Sequence, residues 1–192
     1  MVPVKPEREV PLWYQYYFQL ERGWAGLAAN RREIAKILWR QGSPNWHFDD
    51  ATFDRTALAF DNPDYVDIVI HSYRHRFGLA DGDQQYADLQ RRLAALPAIA
   101  VPTVTLDGDA DGVVPATDGT ASATKFTGRR THQIIPRAGH NLPQEEPEAF
   151  ADFEARIGTT GGDAISIAGS EAVSVASLKD GFESRFSAYM NG

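Results

Sequence analysis

Two short apolar runs constrain this chain more than any other feature. AIAVPTVTL at 98–106 and THQIIP at 131–136 are brief and rich in β-branched residues, the mark of strands packed into a buried sheet. Between them lie a loop and a weak helix, ATDGTASATKFTG. After them comes a helical stretch, PQEEPEAFADFEARIG, that ends at Gly158. The order strand, helix, strand, helix over 98–158 predicts the edge of a mainly parallel sheet, because parallel neighbours need a crossover between them.

Everything ahead of Pro97 reads differently. Residues 1–11 hold three prolines and mixed charges, and predict an extended lead-in. From Leu12 to Gly42 apolar residues such as Ile34, Ile37 and Leu38 recur at helical spacing, punctuated by Gly23 and Gly42. SPNWHFDD is a loop. Asp50 is placed to cap a helix reaching Phe60, Pro63 to open the next, and Gly78 to stop it. A last amphipathic helix sets Tyr86, Leu89, Leu93 and Leu96 on one face. The expected division is a lead-in at 1–11, a helical domain at 12–97, a sheet-bearing part at 98–158, and a Gly/Ser/Ala-rich tail at 159–192 whose structure the pattern does not define.

The bulk properties exclude several functions. A net charge of −7 argues against nucleic acid and anionic membranes as partners. The chain has no cysteine, hence no disulfide framework and no thiolate metal site, which fits a cytoplasmic setting. No apolar run approaches the roughly 18 residues of a membrane span, and the start lacks the apolar middle of a signal peptide. No cofactor or metal is indicated. His71 and His75 stand four apart, but that pair alone is a weak metal signature, and His47 has no acidic neighbour at ligand spacing.

Chemistry is expected where the strands end. LDGDADGVVP follows the first strand and PRAGHNLP the second. Ligands of parallel sheets gather at the carboxyl ends of strands. One crossover would bring the two loops to the same edge, with His140 29 positions after Asp111. Asp111 would fix the imidazole tautomer and leave His140 to act as a general base. Asp107 and Asp109 compete for the acid's role. His132, within the second strand, reads as structural or exposed.

These segments resemble a known family. GDADGVVP is similar to the G-x-x-D-x-x-V-P segment around the triad acid of α/β-fold hydrolases, and GHNLPQEEPEAF to the segment that carries their histidine. Two further stretches resemble the cap domain of epoxide hydrolases. WYQYYFQLERG is similar to a cap motif with Tyr14 at its first tyrosine. HSYRHRF is similar to a later cap helix with Tyr73 at the second, although Ser72 stands where a tryptophan is usual. The resemblance implies a partial α/β-hydrolase fold, a helical cap followed by the last two strand–helix units. It also implies that Tyr14 and Tyr73 are phenols donating to an epoxide oxygen. Trp13, Tyr16, Tyr17, Phe18 and Trp24 are expected to pack as the cap's own core, and Arg74 and His75 to be solvated or paired with acids.

One part is missing. In this family the nucleophile precedes the cap on a strand-to-helix elbow. No G-x-S-x-G occurs, and no H-D-W-G-like segment. Ser43, Ser72 and Ser122 lack the flanking glycines, while Ser166 and Ser170 follow His140 in the wrong order. The expectation is therefore a C-terminal fragment, a split gene product or a truncated frame, inactive alone and acting on small apolar substrates when complete. Its strands would expose an edge that invites self-association, unless AISIAGSEAVSV lends a substitute strand or two. Two alternatives stay open: a fragment of a serine-type esterase, lactonase or haloalkane dehalogenase, or a non-catalytic helical module for binding or dimerisation.

Overall fold

The computed structural model describes residues 5–151, together with the backbone of 164–168 and 171–175. The chain divides into two compact units. The first holds residues up to Gly42 and His47–Ala95; the second holds Ser43–Trp46 and everything from Leu96 onward.

The first unit is helical. α1 (Pro6–Glu9) leads through a 3-10 turn into α2 (Trp13–Tyr17), followed by α3 (Glu21–Ala29) and α4 (Arg31–Gly42). α2 and α3 meet through a glycine: a Cβ at Gly23 would lie 1.9 Å from the Tyr17 carbonyl oxygen, so no other residue permits this approach. Tyr14, Phe18, Leu27, Ile34, Val66 and Ile70 form the core between these helices and the later helix over Tyr65–Arg76. A second cluster joins Ala35, Phe53, Ala57 and Phe60.

α5 (Asp50–Ala57) is capped by Asp49, not by Asp50 as the sequence suggested. The Asp49 carboxylate accepts from the Thr52 amide at 2.7 Å, while Asp50 is already helical and pairs with Lys36. α6 (Tyr65–Arg76) closes with Arg74, His75 and Arg76 beside its carbonyl end, a favourable dipole arrangement, and Gly78 at φ +71° turns the chain away. α7 (Ala87–Ala94) has the expected amphipathic period, but its stripe faces outward: Tyr86, Leu89, Leu93 and Leu96 are 48–72% exposed.

The second unit is built on a sheet of order β2-β1-β3-β4. β1 (Thr103–Gly108) pairs in parallel with β2 (Arg130–Ile135), in register from Thr103 opposite Arg130 to Gly108 opposite Ile135. β1 starts later than its apolar run suggests, since Pro102 has no N–H to give a ladder. Its other edge takes β3 (Ala164–Ala168) in parallel, and β4 (Glu171–Val175) lies antiparallel to β3. The tail segment that could lend substitute strands thus lends two. Two of the three pairings are parallel, and helices precede and interrupt the strands, compatible with a partial α/β fold.

α8 (Thr120–Ala123) lies in the crossover. After β2 the expected long helix is broken. α9 (Leu142–Glu145) stops at Glu146, because the residue before a proline is driven out of the helical region; Glu146 sits at φ −133°, and a new helix starts at Pro147. The rest of that expected helix lies outside the described residues. Val104, Leu106, Ile135, Ala138 and Leu142 form the core of this unit. Among the described residues no helix is long and apolar enough to cross a membrane.

Candidate active site

The parallel register brings the ends of β1 and β2 side by side, and the loops that follow are laced together. The Asp109 amide donates to the Ile135 carbonyl at 3.2 Å, and the Ala110 amide to the Ala138 carbonyl at 2.9 Å. Gly108 makes this possible, for a Cβ there would lie 2.3 Å from the Ala138 oxygen.

Three aspartates follow within five residues, and the structure gives each a separate task. Asp107 accepts from the Thr117 amide and hydroxyl at 2.9 and 3.1 Å, closing the base of the loop. Asp109 accepts from the amide of Arg137, which holds the left-handed conformation at φ +68°. Asp111 faces the histidine: its Oδ2 lies 2.9 Å from His140 Nδ1, while Oδ1 accepts from the amides of Val113 and Val114 at 2.7 and 2.8 Å.

A carboxylate can only accept, so His140 presents its Nδ1–H to Asp111. In the neutral imidazole the lone pair then belongs to Nε2, the atom a general base needs. The Asp111 side chain is 3% exposed, that of His140 29%. Burial pushes the Asp111 carboxyl up. The hydrogen bond to His140, those from Val114 and Val113, and the imidazole's charge outweigh it, and the group stays ionised below the ordinary carboxylate range.

His132 is structural. The Thr105 hydroxyl lies 2.9 Å from its Nδ1, and its Nε2 donates to the Thr117 carbonyl at 2.8 Å, with Asp107 at 3.9 Å. Arg130 donates to the same Thr105 oxygen and to the Gly119 carbonyl. This network ties the crossover to the strands.

Sequence reasoning missed three contributors to the histidine loop. Ser43 is wholly buried, and its hydroxyl oxygen accepts from the amide and the side chain of Asn141 at 3.1 and 2.9 Å. Asn45 donates to the Arg137 carbonyl at 3.2 Å. Glu145 accepts from the amides of Gly139 and Asn141. Ser43 and Asn45 lie more than ninety residues away in sequence, and no local pattern announces them.

In the first unit the structure brings the two selected tyrosines together. The rings of Tyr14 and Tyr73 meet edge to face at 5.6 Å, with Phe18 packed against both. Tyr14 is buried and accepts a long 3.4 Å contact from Gln15, while Arg76 lies over the Tyr73 ring. Phe18 joins the core and Trp13 and Tyr17 border it. Tyr16 and Trp24 do not, being 48% and 46% exposed, because their polar ends reach Glu9 and Asp67 at the surface. His75 bonds the Ala80 carbonyl and Gln90 rather than an acid.

No protein-family model matches the chain, and no curated protein does. Two solved structures are similar. One, from Klebsiella pneumoniae subsp. pneumoniae, is named as a candidate epoxide hydrolase; it is 46% identical over 81% of this chain and 52% of its own, with a TM-score of 0.77. The other, Cfl2 of Burkholderia cenocepacia, is 21% identical over 81% of this chain and 50% of its own, with a TM-score of 0.61, a likeness of fold alone. The chain thus spans about half the length of the solved proteins it matches. Over that span the chain is epoxide hydrolase-like in sequence and fold.

Proposed function

We propose that this chain supplies the acid, the histidine and the two cap phenols of an epoxide hydrolase. In this reading the first unit is the cap, and the second carries the last two strand–helix units of the core. The observation that carries it is the 2.9 Å contact between His140 Nδ1 and the sunken Asp111 carboxylate.

The chemistry follows from that contact. A carboxylate nucleophile, absent from these 192 residues, attacks an epoxide carbon, and the ring C–O bond breaks. Tyr14 and Tyr73 donate to the epoxide oxygen, and one of them gives its proton to the nascent alkoxide. His140 Nε2 then takes a proton from water, and the hydroxide attacks the ester carbonyl. The acyl C–O bond breaks, the diol leaves, the nucleophile returns to its carboxylate, and the imidazolium's proton restores the phenol. Asp111 holds the imidazolium as it forms. The aromatic rings packed around the tyrosines suit small to medium apolar substrates. The setting we propose is cytoplasmic, in keeping with the absence of cysteine.

The test joins this chain to the part it does not match. In a chimera, it replaces the corresponding half of the Klebsiella protein, and hydrolysis of an aryl epoxide and an aryl ester is followed. Epoxide turnover that falls by about a thousandfold or more with His140→Ala or Asp111→Asn is expected. Ester cleavage without epoxide turnover would move the assignment to an acyl hydrolase. The 192-residue chain alone should turn over neither substrate; hydrolysis abolished by His140→Ala would overturn that.

A further inference from the structure

We infer that Glu145 is a positioning residue for His140, an inference that rests on the reading of His140 as the base. The Glu145 carboxylate spans the histidine. Its Oε2 accepts from the Gly139 amide at 2.7 Å and its Oε1 from the Asn141 amide at 3.0 Å, the amides of the two residues that flank His140.

The local sequence explains how this arises. Glu145 is the last residue of α9, since Pro147 takes Glu146 out of the helix. Long helical side chains lean toward the helix N-terminus, and here that direction leads back to residues 139–141. An ordinary capping box ties a glutamate to the N-cap amide alone. This carboxylate takes the N-cap amide of Asn141 and also reaches past the histidine to Gly139. Gly139 is buried, so its N–H would otherwise lack a partner away from water. The Asn141 amide is shared between Glu145 and the Ser43 hydroxyl oxygen, which also accepts from the Asn141 side chain.

The clamp needs both charge and reach. A carboxylate offers an acceptor on each oxygen. A glutamine offers one, because its NH₂ group only donates. An aspartate keeps the charge but is one methylene short. With both amides held, the 138–139 and 140–141 peptide units are restrained, and His140 between them keeps Nδ1 toward Asp111.

The experiment uses the full 192-residue chain and nitrogen-15 NMR of the imidazole, with amide exchange read at Gly139 and Asn141. In the parent, the nitrogen shifts should show one tautomer, with the proton on Nδ1. In Glu145→Ala and Glu145→Asp, the Gly139 amide should exchange about tenfold faster or more, the Asn141 amide, which keeps Ser43 as an acceptor, should speed up by less, and those of β1 and β2 should keep their protection. The tautomer signal should become mixed. Glu145→Gln, isosteric and least disturbing to the fold, should release one of the two amides and shift the tautomer part way; it carries the test if the shorter variants do not fold. An unchanged tautomer and unchanged amides in Glu145→Gln would overturn the inference, as would an unchanged tautomer in a folded Glu145→Ala. Asp111→Asn separates the two readings. If it leaves the tautomer unchanged, the acid–histidine pairing fails. If it shifts the tautomer and Glu145→Ala does not, only the role of Glu145 fails.

Discussion

The two units place their selected side chains by different physics. In the first, Tyr14 and Tyr73 are held in a cluster of rings with Trp13, Phe18 and Tyr17, at centroid distances of 5.3–6.2 Å. In the second, Asp111 and His140 are held by hydrogen bonds from backbone amides and by one glycine that lets two loops touch. Packing is non-directional and depends on volume. Hydrogen bonds to a carboxylate depend on angle, acceptor count and charge. The first unit should therefore tolerate changes that conserve shape, while the second should fail on changes that conserve shape but alter hydrogen-bonding character.

The comparison is broken most severely by removing volume from the helical unit. Phe53 is fully buried among Trp39, Phe48 and Phe60. Phe53→Ala should cost about 3–5 kcal/mol, measured as faster amide exchange in α4 and α5. Phe53→Leu should recover most of that loss; if it does not, packing is the wrong description. Next comes Gly108→Ala, which adds a single methyl group. The new Cβ meets the Ala138 backbone, which cannot swing aside, and a loss of about 2–3 kcal/mol in the urea midpoint of the sheet is expected. A matched change at Gly78, where φ is positive but a Cβ meets open space, should cost about 1 kcal/mol.

The smallest and most diagnostic effect is in acid. Asp111 is held ionised below its unfolded value, so its stabilising contribution is complete above about pH 4 and disappears as pH falls through its lower, folded value. Denaturation followed by β1 and β2 signals from pH 6 to 2 should show that decline. Asp111→Asn should remove it. An identical acid limb in both proteins would mean the carboxylate is not stabilised as its contacts imply.

Much of this arrangement was legible in the sequence, and the rest was not for identifiable reasons. The two strands announced themselves through β-branched runs, and their order implied the parallel crossover that joins Asp111 to His140. Spacing alone does not separate Asp107, Asp109 and Asp111, which stand within five residues; the resemblance of GDADGVVP selects Asp111, and the structure sets that residue against the histidine. The cap at α5 failed for a similar reason, since Asp49 and Asp50 differ in backbone angle, not in kind. The stripe on α7 shows that periodicity predicts a helix without naming what will cover it. Tyr16 and Trp24 looked like core because they are aromatic, yet each carries a polar end that found a carboxylate outside. Ser43 and Asn45 could not be found by pattern, because their partners are set by tertiary contact alone.

That last pair bears on modularity. Four residues, Ser43–Trp46, belong to the sheet unit although helical sequence flanks them on both sides. The polypeptide therefore visits the first unit, then the second, then the first, then the second. No single cut separates the two: scission after Ala95 strands the tetrapeptide with the helices and leaves the amide and side chain of Asn141 without the Ser43 oxygen. Exchange of the helical unit between similar proteins would need three junctions, at 42/43, 46/47 and 95/96, so that the short insert stays with the histidine loop it supports.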